Sequence, residues 1–296
     1  MMKKYFVGFL EQFSYPEDAQ AVLMDAFAAI CKEAIYDEFL SLLKNYEDDM
    51  QYDFKIMLER MKGISVKAGI HEYTGYVIFL IGLSKALQQY YKEAGLDEDM
   101  WFATMSDLKW KLMECKEVYD IWGTFVPWWY DRFFNMERFC FGKLQFELNR
   151  FDREYKKEGI SLKVGSPVLN VHIPRTGERL DRESMLHAYK LGSEFFKSAF
   201  AGEPIVFVCH SWLLFPRNKE VLSEQSNLYA FMSDYDVFEC GEYKDYSQAW
   251  RLFDVQYDGD VEHLPQNTSL RRAYAEWIRT GRKMGWGYGV FLHKEN

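Results

Sequence analysis

VLNVHIPRTGERLDRESMLHAYKLGSEFFKSAFAGEPIVFVCH, residues 168–210, reads as strand, tight loop, helix and strand, and that succession decides the fold. Leu169, Val171 and Ile173 fall on one face of an alternating run, and Asn170 and His172 on the other. This period of two stops at Pro174, which has no N–H to give to a ladder. Residues 174–177 form a turn. From Asp181, a suitable N-cap, apolar residues recur at Met185, Ala188, Tyr189, Gly192, Phe195, Phe196 and Ala199, the spacing of a helix with one buried stripe. Gly202 and Pro204 break the helix. Residues 205–209 are an unbroken apolar run, as in a strand covered on both faces. Two strands joined by a helix of this length form a parallel βαβ unit with a right-handed crossover.

The loop inside that unit follows a strand's carboxyl end and opens a helix. Free backbone N–H groups and the positive end of the helix dipole suit a phosphate there. Gly177 allows close backbone approach. Arg175, Arg179 and Arg182 put three cations in the loop and first turn, either to meet phosphate or to be solvated beside Glu178, Asp181 and Glu183.

Outward from this unit, 296 residues suit two domains. A hydrophobic content of 48%, with 18% aromatic, is ample for their cores. The net charge of −9 argues against a nucleic-acid partner, since phosphate backbones call for a basic face. Five widely spaced cysteines, Cys31, Cys115, Cys140, Cys209 and Cys240, form neither a disulfide framework nor a zinc knuckle. The apolar run after Lys3 and Lys4 is cut short by Glu11, too soon for a signal peptide, and residues 76–83 are too few to span a membrane. The expectation is a soluble, cytoplasmic protein without metal.

Residues 1–120 read as an all-α domain. Pro16, Glu17 and Asp18 open a helix lined by Val22, Leu23, Phe27, Ile30 and Ala34, and further helices are expected at 36–44, 52–61, 72–93 and 98–119. His71 and Glu72 have capping or surface roles. A hinge at 121–137, with Gly123, Pro127 and a run of aromatics, leads into a mixed α/β domain at 121–296. There, residues 139–151 form a strand with a bulge at Gly142, antiparallel to a strand within 161–173. Later expectations are a short helix at 216–223, short strands at 228–232 and 236–240, an ambiguous stretch at 246–254, an amphipathic helix at 269–282 and a last strand at 289–292. The fold class is α+β overall.

FGKLQFE at 141–147, VHIPRTG at 171–177, CHSWLL at 209–214 and the pair Ser226-Asn227 resemble a group of bacterial acyltransferase-domain proteins. Those join a helical N-terminal domain to a C-terminal domain of the GNAT (N-acetyltransferase) fold. The resemblance implies that acyl-coenzyme A lies against strand, loop and helix, with its thioester where the next parallel strand splays away. It points to Ile173, Arg175, Thr176, Gly177, Arg179 and Asn227 as cofactor-binding residues. Pro174 and Arg179 stand where the family carries an Arg or Gln and a second small residue, and Arg175 and Arg179 would supply charge-assisted hydrogen bonds in their place. The aromatic stretch 121–134 would line an acyl or pantetheine pocket, or pack between domains.

Acyl transfer to an amine needs a base, a donor to the carbonyl oxygen and a proton for the leaving thiolate. A backbone N–H in 170–173 is the oxyanion candidate. His172 and His210 end the parallel strands and are candidate bases, unless they are hydrogen-bonded structural residues. Glu147 is another base candidate, or pairs with Arg150 or Arg153. Tyr229 or Ser211 would donate to sulfur. A nucleophilic Cys209 is disfavoured because His210, its chain neighbour, points to the opposite sheet face. The expected function is an acyl-CoA-dependent N-acyltransferase, acetyl by default, acting directly on a small-molecule or peptide amine. The alternatives are a non-catalytic GNAT-fold binding or sensor protein and, more weakly, a hydrolase using Cys209 or Ser211.

Overall fold

The computed structural model describes residues 2–50, 52–157, 159–176 and 180–292. The chain falls into two compact units, Met1–Phe139 and Cys140–Asn296.

The first unit contains six long helices: α1 (Met2–Gln12), α2 (Glu17–Ile30), α3 (Glu33–Asp48), α4 (Phe54–Ala68), α5 (Glu72–Glu93) and α6 (Glu98–Tyr119). Residues 76–81 of α5 are buried all round the helix, so α5 is the axis against which α1, α2, α3, α4 and α6 pack. Gly82 lets Leu43 approach; a Cβ there would lie 2.9 Å from its methyl. Asp53, His71 and Asp97 cap α4, α5 and α6 with side-chain acceptors. Glu72 pairs with Lys62 at 3.0 Å, so His71 and Glu72 are spent on structure.

Residues 2–12 are helical, and Phe6, Phe9 and Leu10 are core. One expectation is corrected here. In α2 the buried line is Ala19, Leu23, Ala26, Phe27 and Ile30, while Val22 is exposed and Ala34 belongs to α3. The aromatic stretch forms a 3-10 turn and α7 (Asp131–Phe134) within the first unit. Tyr130 donates to Asp107 Oδ2 at 2.8 Å, Tyr46 donates to the Phe134 carbonyl at 2.7 Å, and Thr74 donates to the Trp122 carbonyl at 2.9 Å. Tyr130, Phe133 and Phe134 are fully buried, whereas Trp128 is exposed. None of the described helices is long and apolar enough to cross a membrane.

The second unit is built on a six-stranded mixed sheet. Its strands are β1 (Arg138–Phe141), β2 (Leu144–Arg150), β5 (Pro167–His172), β6 (Val206–Ser211), β7 (Asp236–Glu242) and β8 (Gly285–Leu292), ordered β1-β2-β5-β6-β8-β7. A separate hairpin joins β3 (Tyr155–Lys157) to β4 (Ile160–Leu162). As anticipated, β2 pairs antiparallel with β5, and β5 pairs parallel with β6 across α8 (Arg182–Phe196). Gly142 is not a bulge: with φ +56° it opens the two-residue turn between β1 and β2.

Residues 228–232 are not a strand. They lie in α9 (Asn227–Asp234), whose first turn is fixed by Ser226 accepting from Tyr229 N. The ambiguous stretch ends in the short α10 (Trp250–Phe253), α11 runs Ser269–Arg279, and β8 begins four residues earlier than expected. Glycine spacing explains β8. Gly285, Gly287 and Gly289 share one face, where a Cβ on Gly287 would lie 2.2 Å from the Leu214 carbonyl oxygen. The 212–214 turn therefore packs on bare backbone there, and Trp286, Tyr288 and Val290 occupy the opposite face.

The sheet's two faces differ in cover. On one, Tyr189 of α8 packs between Phe146, Phe207 and Phe291, with ring centroids 4.8–6.0 Å apart, and Gly192 lets Phe146 reach the helix axis. On the other, Val168, Val206, Val208 and Val290 meet Phe151 and Leu162 from the chain segment that carries the small hairpin.

Candidate active site

β5 and β6 are paired at only two positions, Leu169↔Phe207 and Asn170↔Val208. Beyond them β5 is held by β2, through Phe146↔Val171 and Gln145↔His172. β6 is held by β8, through Cys209↔Gly289, His210↔Tyr288 and Ser211↔Gly287. The parallel strands therefore part at their carboxyl ends, the place where open α/β sheets bind ligands. Backbone of residues 171–173 borders this gap.

The register places Glu147 opposite Asn170 and Gln145 opposite His172, so all four share one face. It is the Val168 and Val208 face, away from α8. His172 Nε2 lies 3.3 Å from Glu147 Oε2 and 3.2 Å from Asn170 Nδ2. With its proton on Nε2 the imidazole donates to Glu147, which is 4% exposed, and Nδ1 is left as the basic nitrogen; with the proton on Nδ1, Nε2 instead accepts from Asn170 Nδ2. The anticipated arginines are engaged elsewhere: Arg150 donates to the Gly165 carbonyl, and Arg153 pairs with Asp152 and Glu239.

His210 lies on the same sheet face, at the end of β6. Its ring packs 4.6 Å from Trp286 and 5.9 Å, edge-on, from Tyr288. The residue is exposed, yet its ring contacts partly desolvate the imidazole. This burial lowers the imidazole below its ordinary value of 6.5, opposed by Glu239 and reinforced by Arg153. Gly241 makes room for the indole, since a Cβ there would meet Trp286 at 3.0 Å.

Of the loop residues, Ile173 and Thr176 are half-buried beyond the end of β5, while Gly177 and Arg179 lie outside the described residues. Arg175 donates through Nη1 to Asp254 Oδ1 at 2.8 Å and through Nη2 to Oδ2 at 3.4 Å. Asp181 caps α8 by accepting from Ser184 N at 2.9 Å, and that bond, with the Ser184 hydroxyl and Lys143, holds its carboxyl down at about 2. Arg182 pairs with Asp234. Asn227 opens α9 and is exposed; Tyr229 follows in the same turn, with Lys219 Nζ 5.1 Å from its ring centroid. His187 is exposed on α8.

A cysteine nucleophile does not fit. Cys209 is fully buried, its thiol pushed up by burial, and it faces away from His210. Ser211 Oγ accepts from Leu213 N at 3.2 Å, shaping the 212–214 turn. No cluster of three or more His, Cys, Asp or Glu suited to a metal occurs among the described residues.

Helical unit, mixed sheet, parted parallel strands and the βα loop agree with what the sequence is similar to. Residues 139–291 match the GNAT-like C-terminal domain family, and residues 6–136 match the N-acyltransferase N-terminal domain. The chain belongs to this GNAT-like acyltransferase family.

As an acyltransferase it is an enzyme, which sets aside the sensor alternative. No curated protein matches the chain. Solved structures share the acyltransferase's fold. One, an acyltransferase in complex with decanoyl-CoA and teicoplanin, is 19% identical with a TM-score of 0.72, over 96% of this chain and 86% of that one. A mutant acyltransferase in complex with octanoyl-CoA is 18% identical with a TM-score of 0.74, over 97% and 87%. A third, in complex with decanoyl-CoA, is 19% identical with a TM-score of 0.65, over 98% and 99%.

Two features of the site escape the sequence. The Glu147–His172 contact joins residues on different strands and depends on the β2–β5 register. Trp286 and Tyr288 meet His210 only because β8 inserts between β6 and β7, although the alternation of glycine and aromatic residues from 285 to 289 is a legible signal for a one-sided strand.

Proposed function

We propose that this acyltransferase moves an acyl group from acyl-CoA to an amine nitrogen by direct transfer within a ternary complex. The observation that carries it is the parting of β5 from β6 after Asn170, beside the paired Glu147 and His172. The structures similar in fold bind octanoyl-CoA and decanoyl-CoA, so medium-chain acyl groups stand beside acetyl as donors. One of them is complexed with the glycopeptide teicoplanin, which supports an amine on a small molecule or peptide as acceptor.

In this reading the thioester supplies an activated carbonyl, and the protein does the rest. Backbone N–H groups in 171–173 stabilise charge growing on the carbonyl oxygen. His172 takes the amine proton on Nδ1, while Glu147 fixes the tautomer and stabilises the imidazolium. His210, its imidazole lowered by desolvation, borders the acceptor side. Tyr229, on the helix that follows β6, donates a proton to the departing thiolate. Arg175 and Thr176, together with Gly177 and Arg179, take the diphosphate at the start of α8, and Asn227 contacts the cofactor from α9.

The test is turnover: incubation with acetyl-, octanoyl- and decanoyl-CoA and a panel of primary amines, with release of free thiol as the readout. Amine-dependent thiol release supports the reading. Its absence with every donor, in folded protein, rejects it.

A further inference from the structure

One row of side chains crosses the sheet face that carries His172. His210 on β6 and Glu239 on β7 both stand opposite Tyr288 of β8. The parallel register that sets Asn170 against Val208 brings His172 into line with His210, two residues further along each strand. Across β5, β6, β8 and β7 the order is therefore His172, His210, Tyr288, Glu239. A β-bulge shapes the far end. The register shifts between Val237 and Glu239, so Phe238 and Glu239 both lie against Tyr288, with the two rings 4.9 Å apart. Three strand spacings of about 4.8 Å, with the parting of β5 from β6 added, put Glu239 about 15 Å from His172.

That far end carries a surplus of negative charge. The Arg153 guanidinium lies 5.3 Å from the Tyr288 ring centroid and 5.6 Å from that of Phe238. All three of its nitrogens are engaged: Nε and Nη2 donate to Asp152 at 2.8 and 3.0 Å, and Nη1 donates to Glu239 Oε2. Two carboxylates on one guanidinium leave one negative charge in excess. Glu239 is exposed, and among the described residues it accepts only from Arg153, which leaves Oε1 open. An incoming anion would meet a guanidinium already neutralised twice over. An incoming cation would meet an open carboxylate oxygen beside aromatic rings that already seat one guanidinium.

We propose that Glu239 is a specificity-determining residue for the acceptor, and that the acceptor is an extended dibasic amine. One nitrogen is acylated beside His172, and a second, still an ammonium or guanidinium, is held by Glu239 at the other end of the row. His210 and Tyr288 flank the chain that joins the two nitrogens. This inference deepens the acyl-transfer reading above and rests on it for the reaction, whereas the charge at Glu239 stands apart from that reading.

The test compares three amines: α,ω-diaminodecane, which is long enough to span the row; aminodecane, with the same chain and no second charge; and α,ω-diaminopropane, whose second charge falls short of Glu239. With whichever acyl-CoA turns over fastest, the wild-type KM should be about tenfold lower for diaminodecane than for either other amine. Glu239→Gln keeps the shape and should erase that preference, raising the diaminodecane KM to that of aminodecane while kcat and the donor KM stay unchanged. Asp152→Asn leaves the Glu239–Arg153 pair in place; it should act in the same direction by a smaller factor, and serves if Glu239→Gln does not fold. Calorimetric titration of the protein with the same amines reads the preference without turnover. Equal wild-type values for the three amines, a preference that survives Glu239→Gln, or a rise in KM for all three alike would overturn the role of Glu239. If the amines bind with the expected preference yet none is acylated by any donor, the acyl-transfer reading has failed and the amine site stands.

Discussion

His172 Nε2 and Glu147 Oε2 face each other at 3.3 Å across the β2–β5 ladder, with the carboxylate buried. A buried carboxylate that orients an imidazole is the arrangement expected around a general base, and it is also a way to satisfy a buried polar group. Glu147→Gln separates these roles because it keeps the shape and a hydrogen-bonding atom. We expect kcat to fall by about 100-fold to 10,000-fold, because the base His172 loses the carboxylate that fixes its tautomer and stabilises its imidazolium. The melting temperature and donor KM should stay close to wild type. Steady-state kinetics with saturating amine measures this, and an unchanged kcat removes the pair from the mechanism.

The thiols give a second prediction. Cys31 and Cys240 are exposed, whereas Cys209 is buried with its thiol pushed up. A maleimide under native conditions should label Cys31 and Cys240, spare Cys209 and leave turnover intact. Cys209→Ala should cost about 1 kcal/mol of stability, as for loss of a small buried group, with kcat retained. Peptide mapping by mass spectrometry and denaturant melts report both.

His210 predicts a pH dependence. Its imidazole is lowered below 6.5 by burial against Trp286 and Tyr288. Below 6.5 the unfolded chain takes up this proton more readily than the native state does. The stability His210 confers is thus fully present above 6.5 and is lost as pH falls through its lower native value. Ring proton shifts followed by NMR should give a midpoint below 6.5. Trp286→Ala should move that midpoint upward, and His210→Asn should flatten the slope of stability against pH below 6.5.

Backbone contacts on β8 make a stability prediction. Gly287→Ala drives a methyl to 2.2 Å from the Leu214 carbonyl oxygen, so it should cost about 1–3 kcal/mol or more. Gly8→Ala, on α1 with nothing within 4 Å, should instead be neutral or stabilise by up to about 1 kcal/mol. Urea midpoints for the pair decide it.

The parts of the fold that were readable in sequence are those where period and punctuation coincide. Alternation from Val168 to His172, the Asp181 cap and the break at Gly202 and Pro204 mark β5, β6 and the start of α8 within a residue or two, whereas α8 ends at Phe196 and a 3-10 turn at Lys197–Phe200 fills the space before the break. Short apolar runs were not readable. Residues 228–232 suit a strand or a helix equally, and only the Ser226 cap chooses. α1 is a short apolar run between charged flanks, with only Phe6, Phe9 and Leu10 at helical spacing to mark it. For the site, strand-end positions expose His172 and His210 to inspection, but pairings such as Arg175 with Asp254 join segments that local patterns cannot connect.

In the proposed mechanism the gap between β5 and β6 receives the thioester. A crystal structure of the protein with a non-hydrolysable acyl-CoA analogue tests it most directly. The carbonyl oxygen should lie within hydrogen-bond reach of a backbone N–H in 171–173, with the sulfur between that segment and residues 209–211. A thioester bound elsewhere, with β5 and β6 still parted and the gap holding only solvent, would contradict it.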